Sequence, residues 1–193
     1  MSAAYWTGLA IVNQVAGELG LPQTATLAGT TNVQANQLLA LLNSAGNELL
    51  LYYPWEQLHQ EWVFDTVLDT GEYPLPDDWS YAVDQTQWDR TNHWPLLGPK
   101  SPQEWAWLKG GLLATAPRIR YRIQNNKFLI WPIPQLGTTP DVFHLALEYV
   151  SKYWVSEANS EVPNADFIVN DSDIVWYNPW LAVKYVKLLG GDA

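Results

Sequence analysis

The spacing of apolar residues changes between the first third and the middle of this chain, and the change restricts the folds open to it. Up to residue 53 apolar side chains recur about every 3.6 residues, the period of an amphipathic helix. Over residues 61–68 they follow the two-residue period of a strand that buries one face. The pattern predicts an α+β fold. In this fold long N-terminal helices pack with an antiparallel β unit that carries a short inserted helix, and a C-terminal helix follows.

The N-terminal third is predicted to contain two helices. The first covers residues 7–19 and ends at Gly20, which is typical of a C-cap. The second covers residues 32–53, and Thr31 with Gln34 has the spacing of a capping box at its start. At about 1.5 Å per residue this second helix is a rod of roughly 33 Å, which is long for a chain of this size.

The middle of the chain is predicted to form antiparallel strands. Residues 61–68 alternate in polarity and end at a turn. Residues 118–124 and 127–131 flank the pair Asn125-Asn126, and such a pair tolerates the positive φ angles of a two-residue hairpin turn. The hairpin is therefore predicted from local chemistry alone.

Two shorter helices are predicted further along. Ser101 and Glu104 have the spacing of a capping box, and Pro102 stands at the first helical position. A last helix is predicted over residues 179–189.

These elements predict three parts of the chain. Residues 1–58 form a helical part, and residues 59–156 form the antiparallel β unit with its short helix at residues 101–110. Residues 157–193 form a C-terminal segment whose helix returns to the helical part.

Charge is distributed unevenly between the two halves of the chain. The net charge is −10, and residues 1–89 contain acidic residues but no Lys or Arg, whereas all ten basic residues follow. A general nucleic-acid binder needs a basic face, and the first half has none. Two unequal halves can instead meet their opposites on neighbouring copies, as a head-to-tail ring requires.

The sequence carries no recognisable catalytic constellation. It has no cysteine, so thiolate catalysis and Cys-ligated zinc are excluded. His59, His93 and His144 lack the spacing of a helical metal site, and no phosphate-binding glycine loop is present. The pair Asp77-Asp78 is typical of turn capping rather than of paired catalytic carboxylates. We therefore predict that the chain is not an enzyme and needs no cofactor or metal.

The first residues and the apolar runs argue against export and membrane insertion. Residues 1–20 contain no Lys or Arg, so they lack the charged start of a signal peptide. No apolar run is long enough to span a membrane. We expect synthesis in a cytoplasm and no membrane partner.

Aromatic residues are in excess, with twelve tryptophans and ten tyrosines. Such rings are favoured at packed interfaces, but they also suit a tryptophan-rich core. Exposed tryptophans can bind sugars by stacking, so a carbohydrate-binding or other ligand-binding module is an alternative. Such modules are typically all-β, and the long predicted helix argues against one.

Arg118, Arg120 and Arg122 occupy alternate positions of one predicted strand and so share one face. This face is a solvated outer surface, a contact with acidic residues of a neighbouring copy, or a contact with DNA phosphate. The sequence leaves these three alternatives open.

A series of short motifs follows the helical part in a fixed order. They are Trp62-Val63-Phe64, Thr70-Gly71-Glu72-Tyr73-Pro74-Leu75-Pro76-Asp77-Asp78-Trp79, Thr86-Gln87-Trp88, Pro95-Leu96-Leu97-Gly98, Ser101-Pro102-Gln103-Glu104-Trp105, Tyr121-Arg122-Ile123, Leu129-Ile130-Trp131-Pro132-Ile133-Pro134 and Glu148-Tyr149-Val150-Ser151-Lys152-Tyr153-Trp154. In this order they resemble the head–tail adaptor proteins of short-tailed phages, the family that includes tail tubular protein A. The likeness covers about residues 33–189.

The resemblance implies a structural part of a virion. Adaptors of this family form a ring, usually of about twelve copies, docked beneath the portal protein at the head–tail junction. The ring continues the DNA channel without binding the genome specifically, and it receives the nozzle or tail proteins below. A different neck or tail-tube ring protein is the alternative closest to this role.

Two groups of residues are predicted to serve the assembled ring. Because a DNA channel should repel phosphate weakly, acidic side chains are expected to face the lumen or a neighbour's basic patch. These candidates are Glu48, Glu56, Glu61, Asp65 and Asp69. The candidates for contacts between subunits are Arg118, Arg120, Arg122, Trp176, Tyr177 and Trp180.

Overall fold

The computed structural model describes residues 5–110, 118–137, 142–157, 160–176 and 178–191. In these residues helices and antiparallel strands both contribute substantially, which confirms the α+β class. The emphasis on long N-terminal helices is not borne out, because the strands make up a large part of the described fold.

The helices and strands have the following bounds. The helices are α1 (Gly8–Leu19), α2 (Val33–Tyr52), α3 (Pro102–Lys109) and α4 (Pro179–Gly191), with a short 3-10 helix at Glu56–Leu58. The strands are β1 (Trp6–Thr7), β2 (His59–Asp65), β3 (Glu72–Pro74), β4 (Trp79–Ala82), β5 (Trp88–Asp89), β6 (Trp94–Pro95), β7 (Arg120–Gln124), β8 (Lys127–Trp131), β9 (His144–Ser151), β10 (Val155–Ser156) and β11 (Ile174–Val175). Helix α4 continues past its predicted end at Leu189, because a glycine costs a helix only about 1 kcal/mol.

Contacts divide the chain into two compact units. The first unit comprises Met1–His59 and Ser151–Ala193, and the second comprises Gln60–Val150. The first holds α1, α2, α4 and a small sheet of order β1-β11-β10. The second holds a five-stranded sheet of order β2-β9-β5-β6, with β4 paired to β9, and a three-stranded sheet of order β3-β8-β7.

The first unit is built around α2, which contacts both α1 and α4. Trp154, the largest side chain in its core, is fully buried. The indole packs against Gly46 of α2 so closely that a Cβ there would overlap the ring. The indole Nε1 donates to Asn47 Oδ1 at 3.3 Å, which fixes the position of the ring.

Local chemistry determines the ends of the first two helices. Gly20 ends α1 with φ 70°, so the predicted left-handed cap is confirmed. Asn32 is the N-cap of α2, and its Oδ1 accepts the backbone N–H groups of Gln34 and Ala35. The predicted capping residue Thr31 is therefore wrong, since the next residue already binds these N–H groups.

Polar side chains hold the long segment before α4 in place. Asn43 of α2 accepts the backbone N–H of Ile168 at 2.8 Å and donates to its carbonyl at 3.3 Å. The fully buried carboxylate of Asp173 accepts the N–H groups of Val169 and Asn170 at 2.8 and 2.7 Å. These bonds satisfy backbone groups that no regular ladder pairs.

The second unit buries an aromatic core between its two sheets. Tyr73, Tyr121 and Phe128 of the three-stranded sheet meet Leu147 and Tyr149 of the five-stranded sheet. Three stacked pairs contribute to this core: Trp62–Phe64, Trp79–Tyr149 and Tyr121–Phe128. Side chains alternate along each strand, so each sheet also has an outer face that points away from this core.

The predicted hairpin and the predicted short helix are both confirmed in the second unit. Strands β7 and β8 pair antiparallel across Asn125 and Asn126, whose φ angles are 53° and 56°. Ser101 and Glu104 form the reciprocal capping box at the start of α3, with proline at its first position.

Burial raises the pKa of the Tyr149 hydroxyl, and the hydrogen bond to Asp78 and the charge of that carboxylate raise it further. A pKa raised by folding adds stability below the unfolded pKa of about 10, and this stability is lost as the pH rises above that value. We therefore expect the free energy of unfolding to fall above pH ~10, by up to about 1.4 kcal/mol per pH unit for this group.

Urea titrations of the wild type and of Tyr149→Phe at pH 7 and pH 11 measure this effect. At pH 7 the variant should be less stable by about 1 kcal/mol, because it lacks the hydrogen bond to Asp78. At pH 11 the difference should narrow or vanish. A stability difference that is equal at the two pH values contradicts the assignment.

Candidate functional site

The arginines of β7 lie on the outer face of the three-stranded sheet. Tyr121, which lies between Arg120 and Arg122, faces the core. The register places Arg120 opposite Trp131 and Arg122 opposite Leu129. Both arginines therefore share the face on which α3 packs.

Two lysines and one acid complete this surface. Lys127 Nζ lies 2.8 Å from Glu72 Oε2. The hydrogen bond from Lys127 and its charge lower the pKa of the Glu72 carboxyl, and the charge of Lys109 at the end of α3 adds to the effect. We call this surface the basic face; it consists of Lys109, Arg120, Arg122, Lys127 and Glu72.

The three predicted arginines differ in their surroundings. Strand β7 begins at Arg120, so Arg118 precedes it, and the guanidinium of Arg118 lies 5.9 Å from the centre of the Trp94 ring. Arg120 is half-buried, and its Nη1 has no hydrogen-bond partner among the described residues. Arg122 is also half-buried and has no ion-pair partner in the part of the chain that is described. The sequence did not indicate this partial burial, because it arises from tertiary packing on a face where α3 contacts Leu129 and Trp131.

Two of the predicted acids lie on the outer face of the five-stranded sheet. Along β2 the exposed Glu61 and Asp65 alternate with Trp62 and Phe64, which pack against the core. Each of the two acids has a cationic or ionisable neighbour. Glu61 forms an ion pair with Arg90, and Asp65 Oδ1 lies 2.6 Å from His144 Nδ1.

The other three predicted acids are not on this face. Glu48 accepts a hydrogen bond from the Tyr185 hydroxyl at 2.8 Å, and Glu56 is exposed in the 3-10 helix; both belong to the first unit. Asp69 lies in the turn after β2 with φ 57°, and its backbone N–H donates to the carbonyl of Pro134. The structure therefore does not gather the five acids on one surface of either unit.

A pocket that sequence reasoning missed opens on the outer face of the five-stranded sheet. Its volume is about 420 Å³, and Trp88, Glu61 and Glu148 contribute to its lining. The alternation along β9 buries Leu147 and exposes Glu148, and β5 places Trp88 opposite Ala146. The strand order β2-β9-β5 brings these side chains together from distant parts of the chain, so no local sequence signal marks the pocket.

The predicted aromatic contacts near the C-terminus belong to the first unit. Trp176 lies 4.8 Å from Tyr5 between ring centres, and Trp180 lies 4.8 Å from Trp6. Trp180 is 53% exposed, whereas Trp176 is half-buried. Tyr177 lies outside the described residues.

The most exposed tryptophans do not share one element. Trp88, Trp94 and Trp107 stand on β5, β6 and α3 of the second unit, and Trp180 stands on α4 of the first. Most of the other described tryptophans are buried or partly buried against a core. Much of the aromatic excess therefore serves packing, and no sugar-stacking platform is evident in the described part of the chain.

Neither a metal site nor a membrane span is found in the described residues. No group of three or more His, Asp and Glu side chains there could hold a metal ion. Among the described helices none is both long enough and apolar enough to cross a bilayer.

The described residues thus combine an α+β fold with charged side chains on the outer faces of both sheets of the second unit. A family model described as SU10 adaptor protein matches residues 7–183. This match covers most of the chain, which therefore belongs to the SU10 adaptor protein family, a family of structural phage adaptors. A comparison with curated proteins gave no match. The narrower likeness to tail tubular protein A of short-tailed phages stays a prediction.

Proposed function

We propose that the protein is a head–tail adaptor that forms a ring beneath the portal of a bacteriophage. The ring extends the DNA channel through which the genome leaves the head, and it provides the attachment site for nozzle or tail proteins. The observation that carries this proposal is the adaptor family match over residues 7–183. The role is structural, and the proposed location is the head–tail junction of a virion, with synthesis of the protein in the host cytoplasm.

The charge distribution supports a channel role. The first 89 residues contain no basic residue, and a lumen lined by acids lets DNA pass without adhering to it. Glu61 and Asp65 each lie beside a cationic or ionisable group, whereas Glu56 is exposed in the 3-10 helix without such an ion pair in the described residues. We therefore favour Glu56, with Glu48 and Asp69, as the acids that face the lumen.

The proposed organisation divides the chain into three parts, at residues 1–58, 59–156 and 157–193. The segment at residues 157–193 returns to the helical part at residues 1–58, which the grouping of Met1–His59 with Ser151–Ala193 supports. Trp176, Tyr177 and Trp180 of this segment are proposed to contribute to contacts between subunits. The half-exposed indole of Trp180 supports that role.

Mixing the purified protein with the portal protein of the same phage tests the proposal. We expect a defined multiple of subunits, about twelve for a closed ring, to migrate with the portal on a sucrose gradient. Size in solution without the portal is a poor test, because adaptors of this kind can stay monomeric until a portal nucleates the ring. Absence of portal binding, together with selective binding on a glycan array, would overturn the proposal in favour of a ligand-binding module.

A further inference from the structure

The positive charge of this chain is concentrated on and around the basic face. Residues 90–127 hold seven of the ten basic residues and a single acid, Glu104, which forms an ion pair with Lys100. The rest of the chain holds 19 acids and three lysines. A basic surface on an otherwise acidic chain is complementary in charge to other surfaces of the same chain.

The basic face carries more positive charge than it neutralises. Lys127 forms an ion pair with Glu72, the one acid of this face. Lys109, Arg120 and Arg122 have no ion-pair partner among the described residues. Partial burial of the two arginines restricts their guanidinium groups, so less side-chain entropy is lost when they bind a partner.

Two buried N–H groups at this face also lack an acceptor within the described part of the chain. They are Nη1 of Arg120 and Nε1 of Trp105, whose side chain is only 5% exposed. Trp105 packs against Leu129 and Trp131, and Arg120 lies opposite Trp131 in the strand register. A buried donor without an acceptor is unfavourable, and a negative charge brought close to it offsets part of this cost. The face therefore favours an incoming carboxylate.

A stretch of acids without neutralising partners lies in the first unit. Between Lys152 and Lys184 the chain has five acids and no Lys, Arg or His. Two of the five, Asp171 and Asp173, accept backbone N–H groups. The carboxylates of the other three have no hydrogen-bond or ion-pair partner in the residues that the structure describes. We call these three residues the acidic segment: Glu157, Glu161 and Asp166.

Hydrogen bonds hold the backbone that carries Glu157 and Glu161. The backbone N–H of Glu157 donates to Asn164 Oδ1 at 2.8 Å. The hydroxyl of Ser156 donates to the carbonyl of Ser160 at 2.6 Å. Because these positions are already fixed, binding through the two glutamates costs less conformational entropy.

Exposed apolar side chains accompany the charges on both surfaces. Glu157 and Glu161 are exposed, and Val162 beside them is 59% exposed. Next to the basic face, Trp107 of α3 is 55% exposed. A large apolar side chain among charged groups is typical of surfaces that bind another protein subunit.

We infer that the basic face of one copy binds the acidic segment of the next copy of this chain, with Arg122 in contact with Glu161. This inference rests on the proposed ring function and names the two surfaces that join neighbouring subunits. The basic face belongs to the second unit and the acidic segment to the first. Because the two contacting surfaces differ, the contact is head-to-tail and repeats until the rotation closes a ring.

The number of unpaired charges favours a second copy over duplex DNA as the occupant of the basic face. The face has three unpaired cations, and the acidic segment has three unpaired carboxylates. Duplex DNA presents a continuous row of phosphates, one charge per about 1.7 Å of its axis, and so binds an extended basic surface. The basic face is small, and Glu72 lies within it.

Charge reversals in the portal-bound assembly test the inference. The single variants Arg122→Glu and Glu161→Arg each place like charges opposite one another at every contact in the ring. Each should raise the protein concentration needed for half-saturation of the portal by at least about tenfold.

An equimolar mixture of the two variants distinguishes contacts between copies from contacts within one copy. When the variants alternate around a ring, every contact joins either a wild-type pair or a fully exchanged pair, and both pairs attract. The mixture should therefore assemble within about threefold of the wild type, although neither variant does so alone. Contacts within one copy would stay repulsive in the mixture, so failure of the mixture to assemble overturns the inference.

Matched reversals outside the two surfaces serve as controls. Lys184→Glu and Asp77→Arg also reverse exposed charges, and they should leave portal-bound assembly unchanged. Circular dichroism verifies that each variant is folded. Unaffected assembly of Arg122→Glu or Glu161→Arg alone overturns the inference. Loss of duplex DNA binding by Arg122→Glu with assembly intact assigns the basic face to DNA and also overturns it.

The wild type separates this inference from the proposed function. Wild-type protein that does not bind the portal overturns the proposed function, and the inference fails with it. Wild-type rings on the portal, combined with single reversals that have no effect, leave the function standing and refute only the choice of surfaces.

Discussion

Replacing Gly46 with alanine is expected to lower the free energy of unfolding by about 2 kcal/mol, in contrast to the usual effect of this change in a helix. A Cβ at this position would overlap the indole of Trp154, which is fully buried. The indole cannot move away from α2, because its Nε1 donates to Asn47 Oδ1. The backbone N–H of Trp154 also donates to the carbonyl of Ala165, which holds the residue in place. The destabilisation from overpacking, about 3 kcal/mol, therefore outweighs the stabilisation of about 1 kcal/mol from the higher helix propensity of alanine.

Gly17 provides the matched control for this experiment. It also lies inside a helix, but a Cβ there would be 3.7 Å from Gln23 Nε2, an ordinary contact distance. Gly17→Ala should raise the free energy of unfolding by up to about 1 kcal/mol. Urea denaturation followed by circular dichroism measures both variants. Equal effects at Gly46 and Gly17 would contradict the tight packing against Trp154.

The second large effect is expected at Gly98 in the other unit. A Cβ there would lie 2.5 Å from the carbonyl oxygen of Tyr121 and 2.8 Å from its ring. That carbonyl accepts the N–H of Lys100, and the N–H of Tyr121 donates to Leu97, so the backbone cannot yield without breaking both bonds. Gly98→Ala should therefore cost about 3 kcal/mol, with no helix propensity to offset it.

Urea denaturation measures the Gly98 variant against the wild type and Gly17→Ala. A midpoint close to the wild-type value would show that the loop at Gly98 can move away from Tyr121. The aromatic core on which both outer faces are built would then be less constrained than the contacts of Tyr121 indicate.

The elements that could be predicted from the sequence are those determined by neighbouring residues. Asn125 and Asn126 form the hairpin turn, and Ser101 and Glu104 cap α3, through contacts within a few residues. The contact of Gly46 with Trp154 could not be predicted, because it joins residues that are far apart in the chain. The order of the five-stranded sheet is non-local in the same way, so periodicity predicts its strands but not their neighbours.

The candidate site shows the same division between local and non-local information. Period-two spacing predicted Arg118, Arg120 and Arg122 on one face of a strand; the register confirms this for Arg120 and Arg122, whereas Arg118 precedes the strand. It did not show that both side chains are half-buried, because the packing on this face joins separate elements. The neighbours of Glu61 and Asp65, Arg90 and His144, depend on the pairing of sheet strands and were also missed.

An electron cryomicroscopy reconstruction of the protein bound to its portal tests the adaptor assignment most directly. We expect a closed ring of identical subunits directly beneath the portal, with a channel that continues the portal channel and acidic side chains along its wall. Subunits that bind the portal singly at its periphery, or a portal without any bound protein, would contradict the account.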